Sequence, residues 1–186
     1  MARPSGTKQR IQAVARELFV AQGIKNTSLR QISDRLGITK PALYYHFASR
    51  DELVRSIVTP LIEDTEAFLA ATTGRTPGNA RRILEDYFDL LWRHRDVLTM
   101  IISDPSTLAT LELADRAFQW RRELITLLLG ASPDPAARIH ATVALGGMSD
   151  CAVEYAEMPL ETVKPAAVNA ALAALRTRKP AQGAVA

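Results

Sequence analysis

The chain has 186 residues, 47% of them hydrophobic and 23% charged, enough apolar side chains to build one or two small cores. Cys151 is the single cysteine, which excludes an intramolecular disulfide and leads us to expect a reducing, cytoplasmic setting. The net charge of +3 is unevenly placed: residues 1–50 hold nine basic against two acidic side chains, a net of +7, while the remainder nets −4, so the first segment is expected to meet an anion, with nucleic acid the leading candidate.

The opening MARPSGTKQR has no apolar run behind its charges, and the uncharged stretch from Ile139, IHATVALGGMS, is far shorter than the ~20 apolar residues of a membrane helix. Neither export nor membrane insertion is expected. Ile11, Val14, Ala15, Leu18 and Phe19 recur at helical spacing and Gly23 follows as a terminator, which predicts a first helix. A short second helix opens after Thr27 and Ser28, where Ser28 and Gln31 have capping-box spacing, and it stops at Gly37. Thr39 can cap a third helix with Pro41 in its first turn, running to about Phe47. Ser49 and Glu52 form another capping pair, opening a longer fourth helix that fades near Thr73. Breaks at 73–78, Asp104-Pro105, 132–135 and Met158-Pro159 divide the rest into further helices, for an all-α chain of about nine. No strand pattern bounded by hairpin turns stands out.

Residues Ser28 to Phe47 have the anatomy of a helix-turn-helix. Two short helices flank a turn at Gly37, a residue that takes positive φ without steric penalty, and Ile38 is placed to plug the angle between them. The second helix of such a pair normally enters the major groove, its first residues meeting base edges. Here those residues are Thr39, Lys40, Pro41 and Ala42: a lysine that can donate to guanine, a hydroxyl for base or phosphate, and apolar groups suited to a thymine methyl. Tyr44, Tyr45 and His46 can supply hydrogen bonds to phosphate.

The stretch GITKPALYYHFASRDEL, Gly37 to Leu53, resembles the signature of the TetR family of transcriptional regulators, and Ala15, Leu18, Phe19, Gly23, Thr27, Ile32 and Leu36 extend the resemblance back to about residue 8. It covers roughly the first quarter of the chain. The resemblance implies that Thr27, Ser28 and Tyr44 contact phosphates, that Arg30 reaches a base or phosphate, that Lys40, Pro41 and Ala42 face bases, and that Tyr45 and His46 anchor the backbone. Arg50 stands where the family usually shows lysine, which keeps the charge for a phosphate. It further implies a DNA-binding domain over 1–50 and a helical regulatory domain over 51–178 that dimerises and binds a small-molecule effector; the tail over 179–186 is expected to be disordered, as chain ends usually are. A palindromic double-stranded operator, a homodimer and most often repression follow from the same likeness.

The regulatory half carries no motif as specific. Candidate pocket residues are Trp92, Met100, Trp120, Met148 and Cys151, with Asp150 and Glu154 spaced i, i+4 as an acidic pair that would suit a cationic ligand. Candidate dimer residues are the small Ala144 and Gly147 of the helix from about Pro135, and Val168, Ala171, Leu172 and Leu175 along one face of the last helix. An enzyme finds little support. There is no phosphate-cradling glycine loop and no G-x-S-x-G elbow, and His46, His94 and His140 lack metal spacing, so no cofactor and no metal are expected. An effector-insensitive DNA-binding protein or a protein-interaction module of the same fold is the other reading.

Overall fold

The computed structural model describes residues 4–72, 80–104 and 113–176. The expected breaks at 73–78 and at Pro105, and the tail over 179–186, lie outside them. Among the described residues there are nine α-helices and no strand: α1 (Pro4–Gln22), α2 (Leu29–Leu36), α3 (Lys40–His46), α4 (Arg50–Thr72), α5 (Ala80–Arg93), α6 (Arg95–Ser103), α7 (Ala114–Leu129), α8 (Pro135–Glu154) and α9 (Leu160–Leu175). None of them is long and apolar enough to cross a membrane. The chain divides into two compact units, residues 1–66 with 94–116, and residues 67–93 with 117–186.

The first unit is built on side chains that local spacing puts on one face of each helix. Ile11, Ala15 and Phe19 of α1 are fully buried with Ile32 of α2, Leu43 of α3 and Leu53 and Val58 of α4. Sequence-distant residues complete this core: Val97 and Met100 of α6 and Leu113 belong to the same cluster, with Leu98 and Ile101 packed against it. Pro60 lies inside α4 and has no amide hydrogen to give the carbonyl four residues earlier, that of Ser56. Gln12 of α1 supplies the missing donor, its Nε2 reaching the Ser56 carbonyl at 3.3 Å and the Ser56 hydroxyl at 3.0 Å. His94 Nε2 meets the Asp64 carboxylate at 2.8 Å, and Arg116 pairs with Glu66, so two further polar contacts tie α4 to the later chain.

In the second unit α5, α8 and α9 pack on one another. Phe88, Leu84 and Ile83 of α5, Leu145, Met148 and Ala141 of α8 and Val168, Ala167 and Val163 of α9 are buried there. Phe88 stacks on Trp92 with ring centroids 5.9 Å apart. Polar contacts fix the helices relative to each other: Lys164 to both Asp89 oxygens at 2.6 Å, Arg81 to Asn169 at 3.0 Å, and Tyr87 to Ser149 at 3.3 Å.

Candidate nucleic-acid interface

The two short helices are set by their ends. Ser28 caps α2 through a hydrogen bond from the Gln31 amide at 3.2 Å, while the Gln31 side chain accepts from the Ser28 amide at 2.7 Å. Two orphan donors are thereby satisfied reciprocally. At the other end Gly37 is left-handed, φ 66° and ψ 30°, its amide donating to Asp34 and that of Ile38 to Ser33 at 3.1 Å. This pair of bonds is a Schellman turn, and Ile38, partly buried, packs behind it as its apolar partner. Thr39 then caps α3 by accepting from the Ala42 amide at 3.3 Å, with Pro41 in the first turn, where no amide is needed. At the start of α4 the Glu52 amide donates to Ser49, but the Glu52 carboxylate bonds the Ala48 amide at 2.7 Å, one residue before the capping-box position.

On α3 the fully buried Leu43 and the nearly buried Phe47 hold the helix to the core, and this turns Lys40, Pro41, Ala42, Tyr44 and Tyr45 outward. Tyr45 is 86% exposed, a large aromatic with little intramolecular packing, and it lies edge to face with the half-buried His46 ring at 5.3 Å. Lys40 Nζ lies 5.6 Å from the centre of the Tyr44 ring, a cation–π arrangement that orders a long side chain in advance of any ligand. Arg30 is exposed and pairs with Asp34 at 3.7 Å. Beside this surface lies a cleft of about 590 Å³ whose lining includes Lys25, Ser28, Arg30, Lys40, Tyr44 and Arg50 against the single acid Asp51. Amides, hydroxyls and four cations around one groove suit a polyanion.

Not every expected contact residue joins that surface in the expected way. Thr27 is 1% exposed, and its hydroxyl donates to the Gly23 carbonyl at 2.8 Å while accepting from Gln22. It holds the turn between α1 and α2 and presents no free hydroxyl to a phosphate. Arg50 spends Nη1 on the carbonyls of Ile24 and Lys25, at 3.3 and 3.4 Å, so it anchors the same turn while its guanidinium still lines the cleft. Lys25, absent from the expected contacts, is in the cleft lining.

The pocket candidates fall in both units. Met100 is buried in the core of the first unit, whereas Trp92, Trp120, Met148 and Cys151 belong to the second. Asp150 and Glu154 are exposed on α8, so the acidic pair expected beside aromatics faces solvent within the chain. Burial, and then the Asp150 charge, push the Cys151 thiol up, the opposite of what a reactive thiolate needs. Among the described residues no cluster of three metal-capable side chains exists.

The expected dimer residues also divide. Ala144, Val168 and Ala171 are buried within the chain, where α9 packs on α8. Gly147 is exposed and Leu172 and Leu175 are half-buried. The apolar groups that α8 does leave outside are Ile139 and Val143, each 63% exposed and in step with Gly147.

Residues 11–57 match the family described as "Bacterial regulatory proteins, tetR family". The HTH-type transcriptional regulator SrpR of Pseudomonas putida is 40% identical over 52 residues, 28% of this chain and 24% of that protein. The HTH-type transcriptional activator FasR of Mycolicibacterium smegmatis is 26% identical over 111 residues, 55% of this chain and 51% of that one. The chain therefore spans only about a quarter to a half of these relatives' length. Over most of its length it is similar in fold to a transcriptional regulator of the TerR/AcrR family from Aquifex aeolicus VF5, with a TM-score of 0.67, 25% identity, and coverage of 88% of this chain and 96% of the other.

Proposed function

Residues 11–57 form a TetR-family helix-turn-helix domain, and from that premise we propose that the chain is a transcriptional regulator that binds a palindromic operator as a homodimer and is released by a small-molecule effector, most often to relieve repression. The observation that carries this reading is the outward face of α3. Lys40, Pro41, Ala42, Tyr44 and Tyr45 are all exposed on a helix that the buried Leu43 and Phe47 hold in place, beside a cleft lined by cations. Lys40 reads a base edge, Thr39 a base or phosphate, and Ser28, Tyr44, Tyr45, His46 and Arg30 hold the backbone. The named relatives are a transcriptional regulator and a transcriptional activator.

Dimerisation through α8 and α9 is supported by the exposed Ile139 and Val143 stripe. Two copies would set two recognition helices about 34 to 36 Å apart, or a multiple of that, and so read inverted half-sites. Residues 1–50 are the DNA-binding part in this scheme and 51–178 the regulatory part. An effector that prefers a different separation of the recognition helices weakens DNA binding by its differential affinity for the two arrangements, and about 5.5 kcal/mol swings the population from 1:99 to 99:1.

The test is salt-dependent binding to the DNA upstream of the chain's own coding sequence. Tyr44→Ala should weaken binding to all sequences and lower the salt slope by about one, whereas Lys40→Ala should alter base preference. Absence of any specific site, there or in a genome-wide selection, would refute the regulator reading.

A further inference from the structure

The turn between α1 and α2 is gripped from two directions. From α4, Arg50 donates to the Ile24 and Lys25 carbonyls at 3.3 and 3.4 Å. From the end of α6, the Asp104 carboxylate lies 3.5 Å from Lys25 Nζ. The two partners differ in surroundings: the Lys25 side chain is 69% exposed and that of Asp104 only 12%. Asp104 is fixed, since its amide donates to the Met100 carbonyl and α6 is rooted in the core by Val97 and Met100. Lys25 is a solvated ammonium on a flexible stem at the rim of the basic cleft, alongside Ser28, Lys40 and Tyr44.

Resting on the DNA-binding reading above, we propose that Lys25 is a further DNA-phosphate contact and that Asp104 is the competing anion from which DNA must take it. Water and salt reach the pair from its solvated lysine side and weaken it, so a neighbouring phosphate of a polyanion can displace Asp104 as the partner of Lys25. The exchange costs the attraction between the Lys25 and Asp104 charges. The pair thus sets a ceiling on sequence-independent affinity. Because Asp104 closes α6, a shift of that helix end changes how tightly Lys25 is held.

A phosphate contact carries no base information, so random-sequence duplex DNA is a sufficient probe. Binding is measured across a salt series for the full chain as wild type, Lys25→Gln, Asp104→Asn and the double variant, with Tyr44→Ala alongside. Lys25→Gln should weaken binding and lower the salt slope by about one. Asp104→Asn should tighten binding about two- to fivefold, the scale of a pair solvated on its lysine side, and the double variant should match Lys25→Gln alone. Thermal melts check folding, and Asp104→Ser stands in should the asparagine variant not fold. Equal tightening by Asp104→Asn in both backgrounds would mean a long-range charge effect and would overturn the proposal, as would a salt slope unmoved by Lys25→Gln. If Tyr44→Ala weakens binding while the Lys25 variants do not, only this inference falls. If the wild type binds no duplex at all, the DNA-binding reading falls with it.

Discussion

Replacing Gln12 by alanine removes the amide that α1 lends to α4 where Pro60 has none to give. The carbonyl it satisfies, that of Ser56, is part-buried, and the Ser56 hydroxyl loses a donor as well while keeping its own bond to Leu53 at 2.7 Å. An orphaned buried carbonyl costs about 1–3 kcal/mol, and partial access of water puts this one near the lower end, about 1 kcal/mol. Pro60→Ala restores the amide, which should stabilise α4 by up to about 3 kcal/mol and make the Gln12 bond to the carbonyl redundant. In the alanine background Gln12→Ala should then cost about half as much or less, a coupling of roughly 0.5 kcal/mol or more. The assay is urea unfolding of the four variants followed by far-UV circular dichroism, because Gln12, Ser56 and Pro60 lie in the first unit whereas both tryptophans, Trp92 and Trp120, lie in the second. Equal costs in the two backgrounds would show that Gln12 acts by packing or through Ser56 Oγ alone, and the substitution argument would be refuted.

Gly37→Ala should destabilise by about 1–2 kcal/mol through its left-handed backbone alone, since a Cβ there meets nothing within 4 Å, and Gly37→Asn should cost less; urea unfolding that ranks them in the reverse order contradicts this. Ser28→Ala should cost about 1 kcal/mol by loss of the cap and Ser28→Gly only a few tenths, so unchanged DNA binding by the glycine variant would refute the proposed contact of the hydroxyl with phosphate. Burial pushes the Tyr87 phenol above its ordinary value near 10, against the smaller lowering effects of the Ser149 hydrogen bond and the Arg121 charge. The folded chain therefore keeps that proton to higher pH than the unfolded chain, and stability should fall as pH climbs past about 10, with a shallower decline in Tyr87→Phe measured by thermal melts across pH 8 to 11 (roughly the range spanning the ordinary phenol value).

Much of the helix-turn-helix could be read without coordinates because its determinants are local. Ser28 with Gln31, Gly37 and Thr39 act within four residues of themselves, so spacing alone assigns their roles. Thr27 was opaque for the opposite reason. Whether its hydroxyl faces a phosphate or the Gly23 carbonyl depends on how tightly the chain reverses after α1, and no side-chain pattern encodes that. The pairing of Lys25 was not legible because its partner is 79 positions away, at the end of a helix that folds back onto α1. Periodicity also found the apolar faces of α8 and α9 without saying which neighbour covers them. Val168 and Ala171 are covered by the chain's own helices, while Ile139 and Val143 stay open. Met100, grouped with the tryptophans by chemistry, belongs instead to the core that α1 and α4 build.

The presence of Val97, Met100 and Leu113 in that core bears on how the protein could be taken apart. A fragment ending at residue 66 would open an apolar cavity where three buried side chains now sit, and losses of this kind cost about 2–5 kcal/mol for each large side chain removed. A hybrid regulator made by a single crossover near residue 50 inherits the same fault unless the donor of the second part supplies complementary residues at these positions. If α3 reads DNA as proposed, its specificity should be exchanged through the outward face of that helix, or by transplanting residues 1–66 together with 94–116, rather than by one cut in the chain.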